Sequence, residues 1–458
     1  MKVVICGAGQ VGFHIARYLA GEQNDVTVVD QSPELIGKIN DQLDVQAFVG
    51  HAAHPDVLER AGAGEADMLI AVTFTDEVNM TACQVAHTLF NVPKKIARIR
   101  QQSYLDPAWQ NLFAREHLPI DVIISPELEV ARAIGRRLRV PGAFDLIPMG
   151  NDKVQVIGVR CDEDTPIINT PLRHLTTLFP DLNIVIIAIL RGERMIIPSS
   201  TDQMLPGDEV YFVTDKEHMG RAMAAFGHEG KQTRRIVVIG GGNIGTYLAQ
   251  DLEEADEGYS VRIIESSKAR ARQVAEALPT TNIIAGDGLD SEILEEANIR
   301  QAETVIAVTD HDETNILASL LAKRFGAERA VTLINKTSYG PLITTLGIDV
   351  VVSPREITAS TILQHVRRGR IRSVHSLRDG FAEIIEAEAL ATSPLVGRPI
   401  KDAKLPKGVL VGAIVRDEEV IIPRPDTVFE ENDIVIMMAA AETVKKVEKM
   451  FAVRLEYF

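Results

Sequence analysis

The feature that most constrains this chain is a strand and glycine turn that occurs twice. The first copy runs from Lys2–Cys6 into Gly7–Gly12, and the second from Arg235–Ile239 into Gly240–Gly245. Each apolar strand is followed by a G-x-G-x-x-G turn and then by an apolar segment with helical spacing. Landmarks further along recur at separations of 233 to 236 residues, so more than a short motif is repeated. The sequence therefore predicts a tandem duplication.

The duplicated unit has two parts, and the repeat covers the whole chain of 458 residues. Ser125–Pro126 matches Ser353–Pro354 at a separation of 228, so the first copy is longer by about eight residues before this point. A chain of this length is expected to form several domains. The predicted divisions are 1–124, a connecting helix at 125–142, 143–227, 233–352, a second connecting helix at 353–371, and 372–458.

The pattern of each part predicts its fold class. In the larger part, short apolar strands alternate with helical segments, which is typical of an α/β fold with a Rossmann-like, doubly wound parallel sheet. The smaller part has short strands and tight turns, with a hairpin predicted from Val185–Leu190 and Met195–Ile197, and is read as a small α+β domain. The strands expected after the first turn are Val26–Val29, Val45–Val49, Met68–Val72 and Lys95–Ile99.

Composition limits the classes of partner and compartment. The formal net charge of −16 argues against a nucleic-acid backbone as the main partner. Three widely spaced cysteines without a C-x-x-C motif fit a reducing compartment. No apolar run approaches the roughly 20 residues of a membrane span, and the N-terminus opens directly into a strand. A cytoplasmic chain is expected, with any membrane association made through a partner.

The glycines of the first turn have separate roles in a dinucleotide fingerprint. Gly7 allows the sharp turn, Gly9 lets backbone approach a pyrophosphate, and Gly12 lets the helix pack close to the sheet. The N-terminus of the following helix supplies free N–H groups and positive dipole charge for phosphate. No Gly-Lys-Ser/Thr sequence closes either turn, which excludes a P-loop.

An acidic residue follows each turn at the distance that the fingerprint requires. Asp30 comes 18 residues after Gly12, at the end of the second strand, and Glu265 comes 20 residues after Gly245. Such an acid accepts hydrogen bonds from the ribose hydroxyls and repels a 2′-phosphate, which favours NAD over NADP. The alternative for a lone glycine turn is a plain strand-to-helix connection. Nucleotide binding is preferred because the strand, the turn, the helix and the acid all recur in the second copy, whose turn has its glycines at Gly240, Gly242 and Gly245.

The two copies differ at the expected rim of the pocket. His51 stands where the second copy has Asp287, and Arg98 stands where it has Leu333. Arg98 is either a partner for a ligand phosphate or a solvated strand end. His51 and His54 lack a third ligand, so neither a metal site nor a catalytic residue is assigned.

These motifs resemble a known family. Gly7–Gly12, Val28–Asp30, Gly50–His51, Ala71–Thr73 with Asp76–Met80, and Ala97–Arg100 are similar to the nucleotide-binding domain of RCK (regulator of potassium conductance) proteins. The repeated order of a nucleotide-binding and a small domain resembles the tandem RCK potassium-transport regulators. The resemblance implies a regulatory subunit that binds NAD(H), and possibly ATP or ADP, to control potassium flux.

The resemblance also implies the ligand-binding residues and the partners. The partner would be a membrane-embedded potassium transporter subunit, beneath which the chains form a homo-oligomeric ring, a tetramer of tandem chains with eight RCK units. The protein would be peripheral on the inner face of the membrane. The residues assigned to nucleotide binding are Gly7, Ala8, Gly9, Gln10, Val11, Gly12, Asp30, His51, Thr73, Phe74, Arg98, Gly240, Gly241, Gly242, Asn243, Ile244, Gly245, Glu265, Asp287 and Thr309.

Two other functions and one structural question remain open in the sequence. An NAD-dependent oxidoreductase would need a proton-transfer residue, and His174 and His218 have no counterparts in the second copy. A redox-sensing transcription factor would need a basic helix-turn-helix, which is not visible. The helices after Ser125 and Ser353 are read either as crossover or assembly elements or as solvated charged faces.

Overall fold

The computed structural model describes most of the chain. The described residues are 1–21, 24–179, 181–192, 194–228, 233–255, 257–339, 342–343, 346–366, 370–377 and 381–451. Among these residues, no helix is both long enough and apolar enough to cross a membrane. The chain divides into two compact units, one of residues 1–129 with 354–362, and one of residues 130–353 with 363–458.

The first sheet is parallel and has six strands in the order β3-β2-β1-β4-β5-β6. Because β1 lies in the middle, with β2 and β4 on either side, the strand order reverses beside the glycine turn, where α/β folds bind ligands. Its strands are β1 Lys2–Cys6, β2 Asp25–Asp30, β3 Gln46–Val49, β4 Met68–Ala71, β5 Lys94–Arg98 and β6 Val122–Ile124. Its helices are α1 Gln10–Gly21, α2 Pro33–Gln42, α3 Pro55–Arg60, α4 Asp76–Phe90 and α5 Gln102–Leu105, before α6 Pro126–Leu138.

The first small domain is an antiparallel sheet of five strands in the order β10-β9-β11-β8-β7. The predicted hairpin is confirmed, since β9 and β10 pair with Met195 opposite Leu190. The elements are β7 Ala143–Met149, β8 Val154–Arg160, α7 Leu172–Leu178, β9 Ile184–Arg191, β10 Arg194–Ile196, β11 Glu209–Asp215 and α8 Met219–Ala225.

The second large domain repeats the first. Its six strands follow the order β14-β13-β12-β15-β16-β17, which is the same topology. Its elements are β12 Arg235–Ile239, α9 Asn243–Glu254, β13 Ser260–Glu265, α10 Lys268–Ala277, β14 Asn282–Ala285, α11 Ser291–Glu296, β15 Thr304–Ala307, α12 Asp312–Phe325, β16 Arg329–Leu333 and β17 Val350–Val352. The predicted fold class is thereby confirmed for both copies.

The second small domain packs its sheet against the first one. Its strand order, β18-β19-β22-β20-β21, matches that of the first small domain. A single buried cluster takes residues from both sheets, including Ile187, Val213, Ile384, Ala413 and Ile436, so the two small domains share one core. The elements are α13 Pro354–Val366, β18 Ile371–Leu377, β19 Ala382–Glu388, β20 Val409–Arg416, β21 Glu419–Ile421, β22 Ile434–Ala440 and α14 Val444–Met450.

The helices α6 and α13 each bury an apolar side, and at the basic end of α6 Arg137 is buried whereas Arg139 is exposed, so only part of this charge faces solvent. Val130 and Ile134 on α6, and Ile362 and Leu363 on α13, are almost fully buried. A side chain at Gly135 of α6 would meet Asp251 and Leu248 of α9 at 3.1 and 3.7 Å, so the helix from the first copy lies on the second large domain.

The matching contact of α13 lies on the first large domain, where Arg355 Nη1 is 2.8 Å from Nε2 of His14 in α1. Each helix thus contacts the large domain of the other copy, which confirms the crossover interpretation.

Strand boundaries in the first large domain differ from the sequence-based ones by one residue in four cases, and β2 extends one residue further at each end, from Asp25 to Asp30. β3 begins at Gln46 rather than at Val45, β4 ends at Ala71, and β5 runs one residue earlier than expected, from Lys94 to Arg98. The end of β5 matters most, because it makes Arg98 the last residue of a strand at the ligand edge. The predicted linker around 228–233 and the basic end of the second connecting helix at 367–369 lie largely outside the described residues.

Candidate nucleotide-binding sites

The first turn has the conformation that its glycines predict. Gly7 has a φ of +114°, which favours glycine, and a Cβ there would lie 2.9 Å from the backbone of Val72. A Cβ on Gly12 would lie 1.8 Å from the carbonyl oxygen of Gly7, so the helix packs directly on the turn. A Cβ on Gly9 would meet no atom within 4 Å. Open space therefore adjoins Gly9 alone, where the pyrophosphate of a dinucleotide is expected.

Asp30 is tied to the same turn. Its Oδ2 accepts a hydrogen bond from the backbone N–H of Ala8 at 2.7 Å, and its Oδ1 accepts one from Ser32 at 2.8 Å. A carboxylate has about four lone-pair positions, so each oxygen can accept a further bond. Asp30 therefore holds the turn in place and also keeps the capacity to accept bonds from ribose hydroxyls.

The second turn repeats this geometry. Gly240 has a φ of +114°, and a Cβ on Gly245 would lie 2.1 Å from the oxygen of Gly240, whereas one on Gly242 would meet nothing within 4 Å. Glu265 Oε2 accepts from the backbone N–H of Gly241 at 2.8 Å, and its Oε1 accepts from Ser267 at 2.8 Å. The longer side chain of Glu265 reaches the same position as Asp30.

The remaining turn residues lie where a helix N-terminus binds phosphate. Gln10 and Val11 open α1, and Asn243 and Ile244 open α9. The free N–H groups and the positive end of each helix dipole point toward the space beside the turn.

Thr73 and Thr309 follow the fourth strand of each sheet and are fixed by an asparagine on the next helix. In the first copy the N–H of Thr73 donates to Asn79 Oδ1 at 2.8 Å, and Asn79 Nδ2 donates to the carbonyl of Arg98 at 2.9 Å. Asn315 makes the same two bonds, to Thr309 at 2.8 Å and to Leu333 at 3.0 Å.

Each asparagine thus joins the ends of two adjacent strands at the ligand edge. Sequence reasoning used Asn79 and Asn315 only as landmarks of the repeat and missed this positioning role. The sequence signal for this role is that an asparagine occurs at the equivalent position of α4 and of α12.

The rim of the first site carries a charged network. Arg98 Nη2 and Arg100 Nε both donate to Oε1 of Glu127 at 3.0 Å. The Arg100 guanidinium lies 5.0 Å from the ring centre of Phe74, whose side chain is 81% exposed. Arg98 is therefore not a solvated strand end, since only 17% of its side chain is exposed. Glu127, which the sequence did not single out, is the partner that holds it.

His51 lies at the same edge, after β3, and stacks on His54 with ring centres 4.7 Å apart. Within the described parts of the chain, no group of three or more His, Cys, Asp or Glu side chains is arranged to hold a metal ion. The stacking with His54, itself exposed, gives His51 a structural role at the rim.

The rim of the second site has a different chemistry. Leu333, at the position of Arg98, is 3% exposed, and Asp287 Oδ1 accepts from the N–H of Leu289 at 2.9 Å. Arg270, which sequence reasoning missed, donates from Nε to the carbonyl of Gly241 at 2.9 Å. The guanidinium group of Arg270 therefore contacts the second turn, whereas the first copy has Leu35 at the equivalent position.

The buried thiol beneath the first site is not a nucleophile. Burial, with a smaller contribution from the charge of Asp30, raises the pKa of Cys6 to about 12. The thiolate is the reactive form, so Cys6 remains protonated at neutral pH.

The fold and the two turns define a chain of two Rossmann domains with the dinucleotide fingerprint, each followed by a small β domain. Residues 3–126 and 236–354 match the family model of the TrkA-N domain, and residues 156–227 and 384–452 match that of the TrkA-C domain. The Trk system potassium uptake protein TrkA of Azorhizobium caulinodans is 53% identical over 458 residues, which is 100% of both chains. The TrkA protein of Vibrio alginolyticus is 44% identical over 455 residues, 98% of each chain. This chain belongs to the family of the Trk system potassium uptake proteins TrkA.

Solved structures support the same fold. The crystal structure of the GsuK RCK domain has a TM-score of 0.62 at 17% identity and covers 99% of this chain and 95% of that one. The GsuK channel bound to NAD has a TM-score of 0.60 at 17% identity, covering 99% of this chain and 79% of that one. The tandem fold, with two Rossmann-like domains that are each followed by a small domain, is thereby confirmed.

Proposed function

We propose that this chain is a nucleotide sensor whose two large domains bind NAD(H), with ATP or ADP as further ligands. The observation that carries the proposal is the repeated unit of an open glycine turn and an acid bonded to that turn. The turn would bind the pyrophosphate through Gly9 and the first residues of α1, and Asp30 would accept bonds from the adenosine ribose. Thr73, Phe74 and Arg98 would contact the half of the ligand that lies beyond the pyrophosphate.

The residues present fit such a ligand. Arg98 Nε is buried and has no hydrogen-bond partner among the described residues, and it lies at the ligand edge of the sheet. The space beside Gly9 is open, and the helix N-terminus next to it attracts negative charge. The GsuK structures were solved bound to NAD and bound to ADP, which supports the same ligand classes here.

The second site would use Gly240–Gly245, Glu265 and Thr309 in the same way. Its rim has two carboxylates, Asp287 and Asp310, at the positions of His51 and Phe74, and it lacks a counterpart of Arg98. The two carboxylates repel a pyrophosphate, whereas Arg270 on the turn attracts it, so this site differs from the first mainly in lacking an arginine at the end of the fifth strand. The first site is therefore proposed as the better NAD site.

The nucleotide would act on a transport protein rather than undergo a reaction. The relatives are named as potassium uptake proteins, which supports a membrane-embedded potassium transporter subunit as the partner. The chain would sit on the cytoplasmic face of the membrane, as a ring of four tandem chains. A nucleotide changes flux only if it binds two conformations of the ring with different affinities. No catalytic role is proposed.

The domain divisions proposed from the sequence place this function in separate modules. The nucleotide-binding domains are 1–124 and 233–352, the connecting helices 125–142 and 353–371, and the small domains 143–227 and 372–458. The compact units divide inside both connecting helices, which supports their role as links between modules.

Titration calorimetry with NADH tests the ligand assignment. Asp30→Ala is expected to weaken binding at the first site by at least about tenfold, since it removes the ribose acceptor and the support of the turn. Asp25→Ala is the matched control, because it removes the same charge from the opposite end of β2. Equal affinity in both variants would reject the role of Asp30. Steady turnover of NADH with a small substrate would instead favour an oxidoreductase.

A further inference from the structure

A buried ion pair lies at the joint between the two small domains, where β7 of the first faces β18 of the second. Arg137, near the end of α6, donates from Nη2 to Oδ1 of Asp145 on β7 at 2.5 Å. Their side chains are 9% and 10% exposed. Arg137 Nε also donates to the carbonyl of Phe144 at 2.8 Å, and Asp145 Oδ1 accepts from the N–H of Leu146 at 2.9 Å. The two charges balance each other, so the pair alone leaves no net charge at the joint.

His375 of the second small domain faces this ion pair. Its Nε2 is 3.9 Å from Oδ2 of Asp145, which is too far for a hydrogen bond but close enough for the charges to interact. On β18, His375 lies opposite Ile384 of β19, whose side chain belongs to the core that the two small domains share. Because opposite residues of an antiparallel pair lie on one face, His375 also points toward the first small domain. Its side chain is 25% exposed, so protons from solvent reach it.

The charged and titratable groups that face His375 come from four other elements. They are Arg136 and Arg137 of α6, Asp145 of β7, Tyr211 of β11 and Glu386 of β19. The hydroxyl of Tyr211 donates to Asp145 Oδ2 at 3.3 Å, which is the oxygen nearest to His375. Oε2 of Glu386 accepts from the N–H of Gly150 at 2.9 Å, directly after the end of β7. Two guanidinium groups and one nearby carboxylate therefore act on the imidazole.

These surroundings disfavour a proton on His375. Burial lowers the pKa of His375, the charge of Asp145 opposes this lowering, and the charges of Arg137 and Arg136 add to it. At neutral pH the imidazole is therefore uncharged and packs against a balanced ion pair. A protonated imidazole adds an excess positive charge beside the guanidinium groups. The stability that the neutral form contributes is present above the ordinary histidine pKa of about 6.5 and is lost as the pH falls through the lower pKa of the folded chain.

We propose that His375 makes the joint between the small domains sensitive to protons, because acidification charges the imidazole and loosens the contact of β18 with β7. The second small domain has a further apolar core on the opposite face of its sheet, so the change expected is separation at the joint rather than unfolding of that domain. This inference does not depend on nucleotide binding at either turn. It gives the chain a second input, the proton concentration.

The first small domain carries different side chains at the matching positions. At a separation of 228 residues, Ile147 of β7 stands at the position of His375, and Ser373 of β18 stands at that of Asp145. Ile147 is buried in the shared core and does not titrate. Ser373 Oγ lies 3.2 Å from Sδ of Met149. The proton-sensitive contact is therefore made on one side of the joint, and one substitution removes it.

Hydrogen exchange of the backbone amides, measured on the full chain at pH 7.5 and pH 5.0, tests the proposal. Each rate is divided by the intrinsic exchange rate at the same pH. We expect β7 and β18 to lose about tenfold in protection at pH 5.0, because the open joint binds the proton at the ordinary histidine pKa. Strand β12 of the second large domain is the reference and should keep its protection. Unchanged or greater protection of β7 and β18 at pH 5.0 would overturn the proposal.

The variant His375→Gln separates this imidazole from other groups that titrate over the same range. Its side chain stays neutral, so the protection of β7 and β18 should differ by less than about twofold between the two pH values. His174→Gln removes an exposed histidine from the first small domain and is the matched control, which should keep the tenfold loss. Carboxylates that titrate near pH 5 affect both variants alike. An equal response to pH in the two variants would overturn the proposal.

A second replacement keeps the test decisive if His375→Gln does not fold. His375→Ile introduces the side chain that the first small domain has at the matching position, and it should remove the response to pH in the same way. A tenfold loss of protection that persists in His375→Ile would show that another group senses the proton.

Discussion

Gly9 and Gly12 allow the binding function of the first turn to be separated from its folding. A Cβ at Gly12 would lie 1.8 Å from the oxygen of Gly7, well below the 3.0 Å that real Cβ atoms keep, so the backbone must move by about 1 Å. Gly12→Ala should therefore destabilise the first large domain by about 3 kcal/mol. A Cβ at Gly9 meets no atom within 4 Å, and Gly9 does not have a positive φ. Gly9→Ala should leave stability unchanged or raise it by about 0.5 kcal/mol.

For ligand binding, Gly9→Ala is the more informative of the two variants. The methyl group in Gly9→Ala would occupy the space assigned to the pyrophosphate, so NADH affinity should fall at least about tenfold, which is about 1.4 kcal/mol. Urea unfolding followed by far-UV circular dichroism measures stability, and calorimetry measures affinity. Gly242→Ala and Gly245→Ala repeat the test in the second copy. Normal NADH binding by Gly9→Ala, or wild-type stability of Gly12→Ala, would show that these roles are wrongly assigned.

Three further predictions concern buried groups. Asp145→Asn should destabilise the chain by about 3 kcal/mol in urea, because it leaves Arg137, 2.5 Å away, as a buried charge without its counter-ion; a loss below about 0.5 kcal/mol would contradict this. Burial, and then the charge of Glu448, raise the pKa of Glu383 to about 8, so stability falls as the pH rises toward 8. Glu383→Gln should therefore raise the melting temperature at pH 8, and should raise it much less at pH 5. An equal rise at both pH values would contradict a raised pKa of Glu383. Native protein at pH 8 should react slowly with a thiol reagent, since Cys6 is buried and protonated, and rapid labelling of Cys6 would count against this.

The fold could be predicted because its signals are local and repeated. A strand, a glycine turn and an acid at a fixed distance describe one supersecondary unit, and the second copy excludes coincidence. The strand order follows from the same pattern, since parallel strands joined by helices have few allowed connections. The roles of Gly7, Gly12 and Asp30 depend only on one turn and one neighbouring strand, so they could be predicted from the local sequence.

The rim of the site could not be predicted in the same way, because its contacts join distant segments. Arg98 and Glu127 are 29 residues apart, and Arg270 reaches Gly241 across 29 residues. Nothing local in either segment selects the partner. One signal was present but unused: Arg98 and Glu127 both change between the copies, to Leu333 and Arg355, as paired residues do when an ion pair is lost.

Potassium flux through the transporter subunit, reconstituted in vesicles with this chain, shows whether nucleotide binding at the two turns regulates transport. We expect NADH to change the flux when the wild-type chain is present and to have no effect with the Gly9→Ala, Gly242→Ala double variant. Both proteins should bind the transporter equally well, because neither substitution meets a neighbouring atom. A flux that ignores NADH while calorimetry shows the wild-type sites to be filled would contradict a regulatory role for these sites.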